Sequence, residues 1–343
     1  MKKILIVRFS AMGDVAMMVP VVYSLAQQHN DLDITVVSRP FAAPFFDNLA
    51  ENIHFIGINP KKEYKGIAGI FRLYRYLKAG DFDYVADLHD VLRTKILRFL
   101  FLCGGTKTAH INKHRNEKHA LVKQKANNYH QLTSSIENYH SVFEELGFRF
   151  NLDFSSIYKD ATPSFAPLED RIKAKHSGER WYGIAPFAAH RSKIYPQEKL
   201  RQVIDILLDE DPQCRIFFFG NGDKEHTEIS HLINNNTRAM DASKVLGGLK
   251  EELILMRHLD AMLTMDSANM HLAALVGTKV VSIWGATHPF AGFLSWKQNP
   301  DNIVQKDTEC RPCSIYGNKK CIFGDYHCMD IDPHIVTDRL QNQ

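Results

Sequence analysis

The sequence lacks long apolar segments, contains few cysteines, and carries little excess charge of either sign. No apolar run approaches the length of about 18 residues that a membrane-spanning helix needs. Six cysteines in 343 residues are too few for a disulfide scaffold, and a formal net charge of +3 does not by itself indicate a nucleic-acid partner. Neither an internal repeat nor a low-complexity segment is present. These absences argue against membrane-spanning, disulfide-stapled and repeat proteins.

What the sequence does contain is a regular alternation of apolar strands and helices. The alternation begins at strand Ile4–Phe9, stops at Asn151–Leu168 and resumes at Trp181–Ala185. Such alternation predicts parallel sheets covered by helices, in an α/β fold. The interruption has two prolines, three serines and no clear period, which is typical of a linker. We therefore predict two doubly wound domains, residues 1–160 and 170–343, with a ligand cleft between the carboxyl edges of their sheets.

The amino terminus begins like a signal peptide but does not continue as one. Arg8 and Asp14 interrupt its apolar region, so the segment is predicted to be the first strand of a cytoplasmic protein. Gly13 and Asp14 follow that strand, at the edge where ligands of parallel sheets bind. Asp14 is either a plain helix cap or a general base, and the residues alone leave both interpretations open.

The stretch Leu263–Pro289 is predicted to form a β-α-β unit. Its first strand, Ala261–Met265, is followed by Asp266 and Ser267, which both favour a helix N-terminus. A second apolar strand, Val280–Trp284, follows the helix. The free N–H groups and the positive dipole end of such a helix suit a phosphate, although most units of this kind bind nothing.

Two further turns carry residues suited to a nucleotide. His190–Lys193 follows strand Trp181–Ala185, and its three potentially cationic side chains suit a diphosphate, or simply face solvent. Gly220 follows strand Arg215–Phe219 and permits close approach of a nucleotide to the backbone, or only a turn. Glu225 is a candidate for a ribose hydroxyl, or an acid favoured by the dipole of the helix in which it lies.

Two basic stretches, Lys61–Lys78 and Lys107–Lys125, each contain six Lys or Arg residues against one acid. Charge runs are usually solvated, but two of them favour a phosphorylated or acidic partner. Few aromatic residues interleave the second stretch, which argues against single-stranded nucleic acid, and no nucleic-acid partner is predicted. Five cations are candidates for binding an acidic substrate: Arg72, Arg75, Arg93, Lys113 and Arg115.

The irregular tail contains four of the cysteines. Cys310 and Cys313 have the C-x-x-C spacing of zinc ligands, but Cys321 and Cys328 do not form a second such pair. Zinc at this tail therefore stays an open alternative, and we predict neither a metal site nor a cofactor.

Three segments together resemble glycosyltransferase family nine, the heptosyltransferase family. They are ILIVRFSAMGDVAMMVPVVYSL, APFAAHRSKIYPQEKL and LTMDSANMHLAALVGTKVVSIWGATHP, and the tail C-R-P-C-x7-C-x6-C-M is also similar to that of many members. The resemblance implies the GT-B architecture, two Rossmann-like domains facing each other across a cleft. It also implies inverting transfer from a nucleotide sugar, best known as ADP-heptose, to the inner core of lipopolysaccharide.

The resemblance also assigns residues to roles. Asp14 matches the catalytic aspartate, and Lys193 matches the lysine that binds the donor diphosphate. Asp266 and His271 match the Asp and His of the family's D-[ST]-G-x-x-H donor motif, which places Ser267 and Ala268 in that site. Two features depart from the pattern: Ala268 replaces the usual glycine, and Ala188 and Ala189 stand where some members have phosphate-binding threonines.

The function predicted from the sequence is an inverting, metal-independent glycosyltransferase with Asp14 as its base. ADP-heptose is the expected donor, as a substrate, and a lipopolysaccharide core is the expected acceptor. The N-terminal domain is expected to bind the acceptor and the C-terminal domain the donor. We expect a cytoplasmic monomer, with peripheral contact to the inner membrane as an open option. The alternatives are transfer from another nucleotide sugar, a non-catalytic nucleotide-sugar-binding protein, and a nucleotide-sugar epimerase.

Overall fold

The computed structural model describes residues 1–123 and 130–342, which fall into two α/β units. The first unit comprises Met1–Lys113 and Thr133–Lys159, and the second comprises His114–Leu132 and Asp160–Gln343. The chain passes finally from the first unit to the second within the segment expected to be a linker. Among the described residues, no helix combines the length and the apolar character that crossing a bilayer requires.

The first unit is built on a parallel sheet of five strands. In the order of the chain these are β1 (Lys2–Val7), β2 (Leu32–Ser38), β3 (Ile53–Gly57), β4 (Tyr84–Asp87) and β5 (Lys107–His110). Their order in the sheet is β3-β2-β1-β4-β5. The helices are α1 (Met12–Gln28), α2 (Ala43–Phe46), α3 (Gly66–Lys78), α4 (Leu92–Cys103) and, later in the chain, α6 (Ser135–Leu146). The strand order reverses direction between β1 and β4, so the carboxyl ends of these two strands flank the topological switch point of the sheet.

Apolar burial explains why these segments form the first unit. The side chains of Ile4 to Val7 in β1 are fully buried, as expected of a strand covered by helices on both faces. Helix α6 is bounded at both ends by capping residues. Ser134 and Glu137 cap its first turn reciprocally, and Gly147 ends it with a left-handed backbone (φ 100°).

The second unit is built on a parallel sheet of six strands. They are β6 (Trp181–Ala185), β7 (Arg215–Phe218), β8 (Ala239–Asp241), β9 (Ala261–Met265), β10 (Val280–Trp284) and β11 (Ile303–Gln305), in the order β11-β10-β9-β6-β7-β8. The helices are α5 (Arg115–Lys123), α7 (Gln197–Glu210), α8 (Gly222–Ile233), α9 (Ala242–Val245), α10 (Leu249–His258), α11 (Ala268–Leu275) and α12 (Pro333–Gln341). The switch point of this sheet lies between β6 and β9.

Residues 114–123 and 130–132 belong to the second unit, whereas the sequence placed them in the N-terminal domain. Leu121 of α5 and Leu132 form a small apolar cluster with Ala291, and Phe290 and Phe293 pack against it. Leu132 also donates its N–H to the carbonyl of Phe290 at 2.9 Å. Apolar side chains therefore place this segment in the second unit, although the stretch that contains it is basic overall. Lys125, the last residue of that stretch, lies outside the described residues.

Candidate active site

Asp14 lies at the switch point of the first unit, in the first turn of α1. Its Oδ2 is 2.8 Å from Nη2 of Arg8 and accepts a hydrogen bond from the N–H of Ala11 at 3.0 Å. The Asp14 side chain keeps 32% of its surface exposed, against 7% for Arg8. The carboxylate is therefore fixed by its neighbours and remains open to a substrate. Gly13, the residue before it, is buried in α1.

Arg8 is a site residue that the sequence analysis did not identify. Its guanidinium is buried, donates to the carbonyl of Leu88 after β4, and lies 5.3 Å from the ring centre of Tyr139. A cation in this position ties the turn after β1 to the turn after β4 and orients Asp14 between them. The sequence feature that could have indicated this role is a charged residue directly after an apolar strand.

The turn after β4 contains a second carboxylate cluster, but cations within the first unit already engage it. The buried Asp87 accepts the N–H groups of His89 at 3.0 Å and Asp90 at 2.9 Å, and it pairs with Arg98 at 3.1 Å. Asp90 pairs with Arg98 at 3.4 Å and with Lys95 at 3.5 Å. Asp87 and Asp90 therefore shape the turn. Asp14 is better placed than either of them to meet a substrate, because its side chain is more exposed.

His89 is the second residue of this site that the sequence analysis missed. Its Nδ1 accepts the N–H of Phe9 at 3.4 Å, and its Nε2 lies 3.3 Å from Oγ of Ser10. Burial, together with the positive charges of Arg8 and Lys113, lowers the pKa of His89 to about 4. The imidazole is therefore neutral at physiological pH, and it supports the turn that leads to Asp14.

The low pKa of His89 predicts a loss of stability in acid. An unfolded histidine has a pKa of about 6.5, so between that pH and about 4 the unfolded chain binds more protons, and stability falls as the pH falls. After allowance for partial exposure, the free energy of unfolding should drop by about 1–2 kcal/mol between pH 7.5 and pH 5 on account of His89. Urea midpoints at these two pH values should differ less in His89→Gln than in the wild type. An unchanged difference contradicts the assignment.

Two of the predicted acceptor cations lie at the same edge of the first sheet. Nζ of Lys113, which follows β5, donates to the carbonyl of Asp90 at 3.1 Å. Arg93, in the first turn of α4, donates to the carbonyl of Tyr64. Both side chains are partly exposed, so each combines a structural contact with access to solvent.

The other three predicted acceptor cations are not brought to this edge together. Arg72 and Arg75 are exposed on α3, and Arg75 lies in its last turn. Because helices of parallel sheets run back toward the amino ends of the strands, that turn lies away from Asp14. Arg115 is exposed at the start of α5, in the second unit. Among the four candidates that belong to the first unit, the structure therefore groups Arg93 and Lys113 with the Asp14 edge.

Lys193 and Asp266 meet at the switch point of the second unit. Nζ of Lys193 is 2.9 Å from Oδ2 of Asp266, and the two side chains are 13% and 9% exposed. Thr287, which follows β10, donates its hydroxyl to the same Oδ2 at 2.8 Å. An ammonium has three donors, so Lys193 can hold this carboxylate and still offer N–H groups to an anion.

The position of Lys193 is determined by contacts of the turn after β6. Lys193 ends a single 3₁₀ turn, Arg191–Lys193, in which Ser192 donates its hydroxyl to the carbonyl of Gly317 at 2.6 Å. Gly317 has φ +78°, and a Cβ at this position would lie 2.5 Å from Cδ of Lys193. The tail of the chain therefore packs directly against the lysine, and only glycine leaves room for it.

Helix α11 begins beside this ion pair. Ser267 is its N-cap residue but makes no side-chain cap, and among the described residues its buried Oγ has no hydrogen-bond partner. Ala268 is the first residue of the helix, and His271, in its first turn, is buried. The first-turn N–H groups have no partner within the helix, so this end can accept an anion near Lys193.

Arg311 supports the same site from the tail and was not identified from the sequence. Its buried guanidinium donates to the carbonyls of Gly285 and Thr287, to that of Lys306, and to Oε1 of Gln305. One side chain therefore joins the loop after β10 to the loop after β11. The position of Thr287, and through it of Asp266, depends on this network.

The third predicted donor element lies after β7. Glu225, in the first turn of α8, accepts the N–H of Asn221 at 2.8 Å, which is the capping role that its position allowed. Gly220 donates its N–H to the hydroxyl of Ser243 at 3.3 Å. These contacts give both residues a structural role, and they leave a ribose contact as a prediction.

The four tail cysteines are free thiols in this structure. Cys310, Cys313 and Cys321 are partly exposed, whereas Cys328 is buried, which raises its pKa to about 11. Across residues 1–123 and 130–342, no three His, Cys, Asp or Glu side chains are grouped as metal ligands would be. Zinc at the tail stays the alternative that the sequence left open.

Comparisons with known proteins show what the whole chain is similar to. The model of glycosyltransferase family 9 (heptosyltransferase) matches residues 70–327. The chain is 26% identical to lipopolysaccharide heptosyltransferase 3 of Escherichia coli over 304 residues, 85% of each chain.

Among solved structures, E. coli ADP-heptose lipopolysaccharide heptosyltransferase II superposes with a TM-score of 0.70, covering 99% of this chain and 97% of that one at 17% identity. E. coli heptosyltransferase WaaC with ADP superposes with a TM-score of 0.63, covering 88% and 92% at 15% identity. The fold likeness confirms the GT-B class expected from the sequence.

Proposed function

Because this chain belongs to glycosyltransferase family 9, we propose that it transfers heptose from ADP-heptose to a hydroxyl of the lipopolysaccharide inner core, with inversion at the anomeric carbon. The donor follows from a relative of the same fold that is named for ADP-heptose and from another that was solved with ADP. The acceptor follows from the relative named lipopolysaccharide heptosyltransferase 3. The alignment covers 85% of that relative.

The observation that carries the proposal is the fixed and accessible carboxylate of Asp14. A general base must lie within hydrogen-bond reach of the proton that it accepts, and its orientation must be held before the substrate arrives. Arg8 and the N–H of Ala11 hold Asp14 in this way, while about a third of its side chain stays exposed. A carboxylate buried like Asp87 could not reach an acceptor hydroxyl.

In the proposed reaction, Asp14 accepts the proton of the acceptor hydroxyl as that oxygen attacks the anomeric carbon of the donor. The new carbon–oxygen bond forms on the face opposite the leaving group. The bond between the anomeric carbon and the diphosphate breaks, and ADP leaves with the electron pair. A single displacement of this kind inverts the anomeric configuration.

Negative charge grows on the diphosphate during this step. Lys193 and the first-turn N–H groups of α11 are proposed to stabilise it, because preorganised donors are most effective where charge develops. The proposal contains no metal ion and no cofactor, since the lysine and the helix terminus supply the positive charge. Asp266 and Thr287 hold Lys193 in position until the donor binds.

Three alternatives differ from this proposal in what they predict for the assay. Another nucleotide sugar as donor is favoured by Ala268 in place of the motif's glycine and by Ala188 and Ala189 near the phosphate site. A non-catalytic nucleotide-sugar-binding protein should bind the donor and release no nucleotide. An epimerase should convert the donor without any acceptor.

A panel of donors distinguishes these functions. Thermal stabilisation by ADP-heptose should exceed that by GDP- and UDP-sugars, since a ligand at about 100 times its Kd adds about 2.7 kcal/mol to the free energy of unfolding. Release of ADP should then require both ADP-heptose and a delipidated core oligosaccharide. Stabilisation without ADP release, or conversion of the donor alone, would contradict the proposal.

The setting of the enzyme is part of the same proposal. We expect a cytoplasmic monomer that works at the inner face of the inner membrane, where a lipid-anchored acceptor is accessible. Arg93 and Lys113 are the acceptor-binding cations best placed for this role, because both lie at the Asp14 edge. Paired removal of their charges should raise the KM for the acceptor and leave the KM for the donor unchanged.

A further inference from the structure

Two helices of the first unit expose large apolar side chains to solvent. Within the described part of that unit, every strongly exposed large apolar residue other than Met1 lies on α3 or α4. The six residues are Ile67, Phe71, Tyr76, Leu92, Phe99 and Leu102, with exposures of 68%, 47%, 53%, 76%, 62% and 55%. We call this set the α3–α4 face. Single exposed apolar residues are common on protein surfaces, but a set confined to two helices indicates an interaction site.

The spacing of the three α4 residues of this face places them on one side of their helix. On α4, Leu92, Phe99 and Leu102 are seven and three residues apart and form one stripe, with Lys95 between them. The opposite side of α4 carries the buried residues, which include Leu97 and Phe101. The helix is therefore apolar both toward the sheet and toward solvent, although a helix that faces only water carries polar residues there.

The two helices lie against one another in the first unit. The ring of Tyr74 on α3 meets Phe101 on α4 edge-on, with ring centres 5.0 Å apart. Arg93 of α4 donates to the carbonyl of Tyr64, just before α3. Both helices begin at the carboxyl edge of the sheet, and Ile67 and Leu92 occupy their first turns. The α3–α4 face thus reaches the edge that carries Asp14.

Positive charge surrounds this apolar surface. The stretch Lys61–Lys78 has six cations against one acid, and its exposed members include Lys65, Arg72, Arg75 and Lys78. Residues 91–107, which contain α4, have no acidic residue at all. Apolar side chains within a field of lysine and arginine are complementary to an anionic lipid surface, where each basic residue near the headgroups contributes to binding.

We propose that the α3–α4 face binds the surface of an anionic phospholipid bilayer. The apolar side chains enter the headgroup region, and the surrounding cations meet lipid phosphates. Arg72 and Arg75, which do not lie at the Asp14 edge, then contact lipid phosphates rather than the acceptor sugar. The biological purpose rests on the proposed function, because a lipid-anchored acceptor explains why the active-site edge should lie near a membrane. Binding to the bilayer itself does not depend on that function.

The test uses sedimentation of the full-length protein with lipid vesicles. Wild-type protein should bind vesicles that contain about one-third phosphatidylglycerol, and it should bind pure phosphatidylcholine vesicles far less because the cations then have no partner. Raising the salt concentration should weaken the binding to anionic vesicles. Equal binding to both vesicle types, or no dependence on salt, contradicts the role of the cations.

The matched variants separate this face from apolar exposure in general. Phe71→Ser/Phe99→Ser removes side chains that are 47% and 62% exposed, and Phe323→Ser/Ile335→Ser removes controls that are 61% and 49% exposed in the second unit. The first pair should lower vesicle affinity at least about tenfold, because two large apolar side chains no longer enter the lipid. The control pair should bind like the wild type. Equal losses in both pairs, or none in the first, overturn the proposal.

A second readout keeps this proposal distinct from the proposed function. Turnover with ADP-heptose and a delipidated acceptor should be the same in Phe71→Ser/Phe99→Ser as in the wild type, because neither residue belongs to the catalytic site. If the wild type shows no turnover but binds vesicles as described, only the proposed function fails. A second copy of the chain is the other possible partner of this face, and light scattering tests it. If the wild type is a dimer, if Phe71→Ser/Phe99→Ser is a monomer, and if both bind vesicles equally, the face is a dimer interface and the lipid proposal is overturned.

Discussion

Replacing Asp14 by asparagine is expected to lower turnover by about 10²–10⁴-fold while donor affinity changes little, because a general base typically contributes a factor of that size. Asparagine has nearly the same shape and can still accept the N–H of Ala11 and a hydrogen bond from Arg8. The substitution therefore removes the ability to take up a proton and retains most of the local structure. Steady-state rates and equilibrium binding of ADP-heptose measure the two effects separately.

Asp90→Asn is the matched control for this experiment. Asp90 is a carboxylate at the same edge of the sheet, but Arg98 and Lys95 engage it. Its replacement should reduce turnover by no more than a few-fold. If Asp14 were only a helix cap, Asp14→Asn would shift the melting temperature and leave turnover near normal. Near-normal turnover in Asp14→Asn, or an equal loss in Asp90→Asn, therefore removes Asp14 from its catalytic role.

Replacing Lys193 by methionine should weaken both the fold of the second unit and the binding of the donor. The substitution leaves the carboxylate of Asp266, whose side chain is only 9% exposed, without its cation, and breaking a buried ion pair costs about 3–5 kcal/mol. The loss of a charge-assisted hydrogen bond to the diphosphate should raise the donor Kd by about 10- to 100-fold. Chemical denaturation and titration with ADP-heptose measure the two effects.

The double variant Lys193→Met/Asp266→Asn separates the two roles of the lysine. Asparagine removes the uncompensated charge and can still accept the hydroxyl of Thr287, so most of the lost stability should return. The donor affinity should stay low because the cation is still missing. Recovery of both stability and donor affinity in the double variant would show that Lys193 acts only as a structural partner of Asp266.

The central strands could be predicted from the sequence because their side chains are buried on both faces. Strands β6, β9 and β10 begin and end at the residues predicted for them, and all of their residues are buried. Strands β5, β8 and β11, in contrast, lie at sheet edges and have only three or four residues. An edge strand such as Lys107–His110 is short and polar, so local pattern does not distinguish it from a loop.

The site residues could be predicted in part for a similar reason. Asp14, Lys193 and Asp266 stand directly after apolar strands or within a motif, and the topology brings each of them to a switch point. Arg8, His89 and Arg311 act through partners that are distant in sequence. Arg8 contacts Leu88 and Tyr139, and Arg311 contacts Gly285 and Thr287. Contacts at such separations depend on the assembled fold, so the local pattern around these residues does not identify their partners.

The path of residues 114–123 and 130–132 shows a further limit of sequence patterns. Their basic composition suggested a solvated surface of the N-terminal domain, yet Leu121 and Leu132 pack in the second unit. Two apolar side chains determine the position of this segment, although cations dominate its composition. The predicted acceptor site was divided for that reason, with Lys113 in one unit and Arg115 in the other.

The most direct test of the proposed reaction is the anomeric configuration of the product formed from ADP-heptose and a delipidated core acceptor. Direct displacement with Asp14 as the base predicts that NMR will show a new glycosidic bond of configuration opposite to that of the donor. One ADP should be released for each bond formed. Retention of the donor's configuration would require a second displacement and contradict the single-base mechanism. Release of ADP with free heptose and no new bond would contradict glycosyl transfer itself.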